Sequence, residues 1–467
     1  MSIEDLIKKN RTRIFRRAFI RRRLAGSGQF ESDWLEITSD VVSWGSIKTE
    51  TETERFNRFR LGSVKLTVRN DDGRFNDETD ENSYWFGYAS RNRTLLRIDA
   101  GFINETLGAD GIWDQVRTPT GGIVFDESLF DTGVFDDVPS VFIGIINGDI
   151  PSNSQNKLTI NAQPLSQVFK DFPAKNLTGY TSTGMTSSQF VTMIRDQQDG
   201  SGNYIFRPFF ANTTSSWVFT TTGVVYGNLN TSGAAEVIDK NVWDILENLA
   251  EAENSWVYVR PNGEFNFRQR AVSATTTAFH FFGPGYFSSD YGCTIKNISK
   301  LAPAVSKYYS QVQLKWVNTD TTTSYESTSA SLEVSGNNAV WNLGFRAYNF
   351  ENFWIPSAAV AASVVNNVFN NLSSLKREIE FTTSFIPHLE PRDIVSVSYD
   401  AAGAASATSA WDLADWADTA GSLPLSTDLI WDGSRGNALK LNAEEFYVLS
   451  VELGLDSLET KFICRET

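Results

Sequence analysis

Two histidines, His280 and His388, are the whole supply, in 467 residues, of the commonest general base and metal ligand. Histidine-dependent catalysis therefore has almost no material to work with. The two cysteines, Cys293 and Cys464, lack the paired spacing of a zinc or redox site and read as small buried apolar residues. No Gly-x-x-x-x-Gly-Lys-Ser/Thr phosphate loop, Gly-x-Ser-x-Gly nucleophile turn or His-Glu-x-x-His helix occurs. Carboxylates are abundant, and a glycoside-cleaving pair stays open among the 56 Asp and Glu residues. The expectation is no catalytic, cofactor-binding or metal residue, and hence no enzyme.

The densest acidic run, Asn70-Asp-Asp-Gly-Arg-Phe-Asn-Asp-Glu-Thr-Asp-Glu, invites comparison with a calcium loop, and the register fails. With Gly73 at the turn position, Val68 falls where the first ligand belongs and Thr79 where the bidentate glutamate belongs. A solvated turn is the better reading. A second cluster places Trp113-Asp114 before Phe125-Asp126, Phe130-Asp131 and Phe135-Asp136, and a third holds Trp411-Asp412, Trp416 and Trp431-Asp432. The five-residue period of Phe125, Phe130 and Phe135 fits no metal loop, and Trp113, Phe125, Phe130, Phe135, Trp411, Trp416 and Trp431 are candidate interface anchors. The bland alternative is aromatic side chains docking back on a sheet.

Charge is distributed unevenly. The net charge is −15, which argues against a protein whose main work is neutralising phosphates. Between Lys8 and Arg23 lie nine Lys/Arg and no acid, leaving 32 basic against 56 acidic residues, or −24, for the rest of the chain. Arg16, Arg17, Arg21, Arg22 and Arg23 form a candidate electrostatic arm toward an acidic partner. The alternative is a strand or helix whose Ile14, Phe15, Phe19 and Ile20 pack down while the guanidinium groups pair with the acidic body. No stretch approaches the roughly 20 apolar residues of a membrane-spanning helix. A Sec-type leader and a disulfide framework are not expected either.

Period two dominates the elements that would position these residues, so the chain is expected to be mainly β. Val64, Leu66 and Val68 alternate with polar residues and end at the Asn70 turn; Leu96, Ile98, Ala100 and Phe102 mark another strand; Val141 to Ile146 and Leu158 to Ala162 form a hairpin. Helical spacing appears over 186–196, in Val242, Ile245, Leu246 and Leu249, and over 357–372. The expected division is 1–170, a basic arm and first β domain with a long insertion 104–140; 171–284, an intervening α+β region; and 285–467, a second β domain with helix 357–372 and insertion 400–443.

An approximate internal repeat organises this pattern. Strand 95–103, an insertion and the strand pair 141–162 in the first copy answer strand 394–399, an insertion and the strand pair 445–464 in the second. Independent surface loops are the bland reading, and duplication of one β module the sharper one, which predicts that the two modules superpose. Long loops without secondary structure are usually functional or stabilised by a partner.

Three stretches carry a family resemblance. They are Asp33-Trp-Leu-Glu-Ile-Thr-Ser-Asp-Val-Val-Ser-Trp-Gly-Ser-Ile with Leu61-Gly-Ser-Val-Lys-Leu-Thr-Val-Arg-Asn-Asp-Asp-Gly-Arg-Phe; Trp243-Asp-Ile-Leu-Glu-Asn-Leu-Ala-Glu-Ala-Glu-Asn-Ser-Trp-Val-Tyr-Val with Gly263-Glu-Phe-Asn-Phe-Arg; and Pro391-Arg-Asp-Ile-Val-Ser-Val-Ser with Phe446-Tyr-Val-Leu-Ser-Val-Glu. The sequence resembles the tail hub, or baseplate hub, proteins of tailed bacteriophages, also described as minor tail or tail-tip proteins. Its long aromatic insertions and basic arm are the parts hardest to match.

The resemblance implies two tail-tube-like β-barrel domains with smaller α+β domains between them, and a homotrimer presenting six barrel units to a six-fold tube. Implied partners are the tail tube or distal tail protein, the tape measure protein and a central tip or fibre protein, with DNA passing through the channel without sequence-specific binding. The implied location is the tail tip of the virion, after assembly in the host bacterial cytoplasm. A lumen lined by this acidic chain would repel a passing duplex. Two other readings compete. The 13 Trp and 33 Phe suit a receptor- or glycan-binding tail-tip protein, and a tail-associated cell-wall hydrolase is the weakest case.

Overall fold

The computed structural model describes residues 12–51, 58–89, 92–104, 140–147, 156–179, 185–211, 217–219, 225–226, 240–269, 277, 279–283, 292–317, 323–329, 344–352, 354–355, 357–400 and 440–467. The chain begins with β1 (Thr12–Arg21), β2 (Leu35–Glu36), β3 (Val41–Ser43), β4 (Ser46–Thr51), β5 (Phe59–Leu61), β6 (Val64–Arg69), β7 (Leu95–Asn104), β8 (Ser140–Ile146) and β9 (Lys157–Pro164). A mixed stretch follows: α1 (Ser166–Lys170), β10 (Met185–Thr186), α2 (Ser187–Arg195), β11 (Val218–Phe219), β12 (Val225–Tyr226), α3 (Val242–Ala252), β13 (Ser255–Val259) and β14 (Phe265–Gln269). The last part holds β15 (Phe279–Phe282), β16 (Gly292–Pro303), β17 (Gln311–Val317), β18 (Thr323–Ser329), β19 (Ala347–Glu351), α4 (Ala358–Leu372), β20 (Arg377–Ser384), β21 (Ile394–Asp400), β22 (Lys440–Gly454) and β23 (Glu459–Glu466).

Two sheets dominate, and the fold is mainly β. Strands β15, β21, β22, β23, β20 and β16 pair in that order, and the β15–β16 contact closes them into a six-stranded barrel. The first sheet contains β1, β7, β8, β9, β6 and β3 in order, with β2 added outside β1. Both sheets thus arrange the first, fourth, fifth, sixth, third and second strands of a six-strand set identically. The duplication expected from strand, insertion and hairpin extends to the whole strand order.

The first copy is a half-barrel. Its β1 runs antiparallel to β7, whereas β15 runs parallel to β21, so the closing strand enters with opposite polarity. Strand β3 is only three residues long and ends at Trp44-Gly45. Gly45 holds φ +65°, and a Cβ there would lie 2.7 Å from the Lys65 carbonyl oxygen, so the chain can turn away only with glycine at this point.

The β4–β5 hairpin leaves the first sheet and pairs with the last residues of β22, Glu50 opposite Ser450 and Ser46 opposite Gly454. The two modules consequently share one core, in which Val64, Leu66, Leu96 and Ile98 join Phe281, Phe381, Val397 and Phe462. A second core gathers α2, α3, β13 and β14 with β17, β19 and α4, so these elements of the excursion between β16 and β20 bury their apolar side chains against the middle region. Strand β8 is apolar along nearly its whole length because Phe142 and Ile146 face the first core while Ile143 and Ile145 face the second.

Helices α2, α3 and α4 begin where their capping residues dictate. Thr186 with Gln189, and Asn241 with Asp244, form capping boxes, and the Ser357 side chain accepts from the Val360 N–H.

Candidate assembly surface

Within the basic stretch, residues 12–21 form β1, paired along its length with β7 from Thr12 opposite Asn104 to Arg21 opposite Leu95. Its doublets of apolar residues follow from a sheet covered on both faces. Ala18 and Ile20 enter the shared core, while Phe19 is roofed by the guanidinium groups of Arg17 and Arg97, 4.8 and 4.3 Å from its ring centre.

The arginines are engaged within the chain. Arg17 forms a forked pair with Glu36 at 3.1 and 2.5 Å, which leads the causes holding that carboxyl below its ordinary range. Arg22 pairs with Glu31 at 2.7 Å, donates to the Tyr84 carbonyl at 2.8 Å and stacks on Tyr88. Arg21 donates to the Glu31 carbonyl at 2.6 Å. Arg16 donates to the Leu455 carbonyl and lies 3.7 Å from Asp456. Burial, then repulsion from Arg93, lowers the pKa of Arg23. Arg16, Arg17 and Arg22 each have a carboxylate of this chain within ion-pair distance.

The aromatic candidates Trp113, Phe125, Phe130, Phe135, Trp411, Trp416 and Trp431 lie outside the described residues. Their points of departure are described. One insertion leaves between β7 and β8 and the other between β21 and β22, the fourth and fifth strands of each module. Equivalent connections carry both.

Asp456, in the β22–β23 turn, is a residue that sequence reasoning did not single out. Its carboxylate accepts from the Ser43 hydroxyl at 2.7 Å and from the backbone N–H groups of Trp44 and Gly45 at 3.0 and 3.2 Å. Burial raises its pKa, but these bonds and the Arg16 charge outweigh burial and leave it lowered. The barrel is thereby fastened to the turn where the half-barrel breaks off. No local pattern announces a contact 412 residues apart in sequence.

Chemistry-bearing side chains stay apart. His388 lies against Phe279 with both ring nitrogens shut from solvent and unbonded, and burial lowers its pKa to about 4. Cys464 is a free thiol in the shared core. Among the described residues, no group of three His, Cys, Asp or Glu is placed to hold a metal ion, and no helix is long and apolar enough to cross a membrane.

No family model matches the sequence, and no curated protein matches it. Solved structures do. A tail protein from Neisseria meningitidis MC58 aligns over 96% of this chain and 96% of its own, at 8% identity and TM-score 0.45. The 43 kDa tail protein of prophage MuSo2 from Shewanella oneidensis aligns over 97% and 98%, at 11% identity and TM-score 0.44. A prophage tail protein from Listeria monocytogenes EGD-e aligns over 96% and 94%, at 8% identity and TM-score 0.45. All three are tail proteins, the second and third of them from prophages.

Proposed function

We propose that the chain is a non-enzymatic structural hub at the distal end of a phage tail, joining the tail tube to tip or fibre proteins around the channel for DNA ejection. The observation that carries this reading is the repeated strand order of the half-barrel and barrel. A chain with two similar modules converts three-fold into approximate six-fold symmetry: three copies offer six related docking faces to a six-fold tube. On this reading the chain is a homotrimer in the virion, assembled in the host cytoplasm, and the two insertions, leaving from equivalent connections, reach the tube or distal tail protein, the tape measure protein and the central tip protein.

The glycan-binding alternative draws no support from six of the eight described tryptophans, and the other two, Trp34 and Trp256, are half-buried beneath the guanidinium groups of Arg21 and Arg97 and of Arg392. Trp44, Trp85, Trp217, Trp243, Trp316 and Trp354 are buried, where they serve packing. A reconstruction of the intact tail tests the proposal. The expected density is a ring on the tube axis with both modules of each copy turned toward the tube. A position at the side, among receptor-binding fibres, would overturn it.

A further inference from the structure

Strand β6 carries opposite charge at its two ends. Where it begins, a cleft of about 230 Å³ opens between the β4–β5 hairpin, the end of β9 and α1, with Lys48, Arg60 and Lys170 on its walls. Among the described residues lining it, the one carboxylate, Glu50, is held by Lys48 at 2.5 Å. The charges of Lys170 and Arg60, with that of Arg58, act on the neighbouring Glu247, whose pKa is nonetheless raised by burial. In a chain of net charge −15, this is a locally basic hollow.

Where β6 ends, the chain enters the turn 70–83, which carries Asp71, Asp72, Asp77, Glu78, Asp80 and Glu81. Internal bonds give this turn a fixed shape. Asn70 accepts from the Phe75 N–H at 2.8 Å and donates to the Asn76 side chain at 2.8 Å. Asn76 donates to Asp80 at 2.6 Å, and Asp80 accepts from the Asn82 N–H at 2.9 Å. Phe75 anchors the turn in the shared core. Arg69 lies 4.0 Å from Asp71, and Arg74 lies 2.7 Å from Asp72 and 3.8 Å from Asp40. The result is a preformed acidic knob, and preformed elements lose little entropy on docking.

A six-residue strand rising about 3.3 Å per residue separates knob from cleft by roughly 20 Å. Surfaces at opposite ends of one strand cannot meet in the same copy, but they meet head to tail between copies, the heterologous arrangement that builds rings. We propose that the acidic turn 70–83 of one copy docks in the basic cleft formed by Lys48, Arg60 and Lys170 of a second copy. The proposal deepens the hub reading, resting on its ring of identical chains; the partner is fixed by charge complementarity within a single sequence.

Sedimentation of the purified full chain at about 0.1 mM tests it, apart from any tail. Wild-type chain is expected to self-associate and to dissociate as salt screens the contact. Arg60→Glu with Lys170→Glu, or Glu78→Lys with Glu81→Lys, should each weaken association at least about tenfold while the monomer still unfolds cooperatively. All four substitutions together reverse both surfaces and should restore association to within about threefold of wild type. A wild-type chain that stays monomeric, association indifferent to either reversal, or a fourfold variant that fails to recover would overturn the proposal. Reversals that spare self-association but block tail assembly would assign the cleft to another tail protein, also overturning it. The hub reading fails on a different result, an off-axis position in the tail.

Discussion

Replacing His388 with leucine should remove an acid-sensitive weakness at the mouth of the barrel. The residue sits in the segment between β20 and β21, its ring 5.5 Å from that of Phe279, with neither nitrogen bonded. A buried imidazole without an acceptor must stay neutral, and its pKa falls from 6.5 to about 4 in the folded chain. The unfolded chain therefore binds a proton at a pH where the folded chain does not, and stability declines as pH drops from the unfolded toward the folded pKa. At about 1.4 kcal/mol per pKa unit the full loss is roughly 3 kcal/mol, of which about 2 kcal/mol is reached near pH 5. Neighbouring groups also titrate: burial raises the pKa of Asp393, and Glu390 lies 3.8 Å from Arg260. They are common to both proteins and cancel in the difference. Equilibrium urea unfolding near pH 7 and near pH 5 should show wild type losing about 2 kcal/mol more than His388→Leu. A difference between the two proteins that does not change with pH would refute the reasoning.

Phe281→Ala should cost about 3–5 kcal/mol in urea unfolding, because its buried ring lies 4.9 and 5.1 Å from those of Phe381 and Phe462 on the strand that closes the barrel. A loss below about 1 kcal/mol would show that β15 is not packed as described. Asp456→Ala removes three hydrogen bonds and an ionic contact from a half-exposed carboxylate, so about 1–2 kcal/mol is expected, with faster proteolysis at the Trp44-Gly45 turn; unchanged cleavage there would count against the clamp. Phe130 and Phe135, or Trp411 and Trp416, changed to alanine should impair tail assembly more than monomer folding, since truncating a buried interface anchor costs on the order of 2 kcal/mol or more. Unfolding of the purified monomer with normal assembly of the surviving fraction would make them core residues.

What could be read in the sequence was local. Alternation exposed β6 and β23, where buried and more exposed side chains largely alternate, whereas β7 and β21 bury nearly every described side chain and were legible as β runs; helical spacing located α2, α3 and α4 to within about a residue. The repeat was legible because each module keeps its last three strands consecutive. Closure was not. Strand β15 is four residues long and pairs in parallel with β16 and β21, leaving no turn signal. The transfer of β4–β5 to the second sheet depends on contacts across some 400 residues, for which periodicity has no term. In β1 the mixture of basic and apolar residues left two readings open, because whether an arginine meets an external acid or Glu36 is decided by the fold.

The number of copies in each tail bears most directly on the central claim that one chain with two related modules mediates the change of symmetry. Mass measurement of the protein extracted together with its adjacent tail proteins should give three copies. Six copies would contradict the account, since each chain would then supply a single docking face and the duplicated module would have no part in matching the tube.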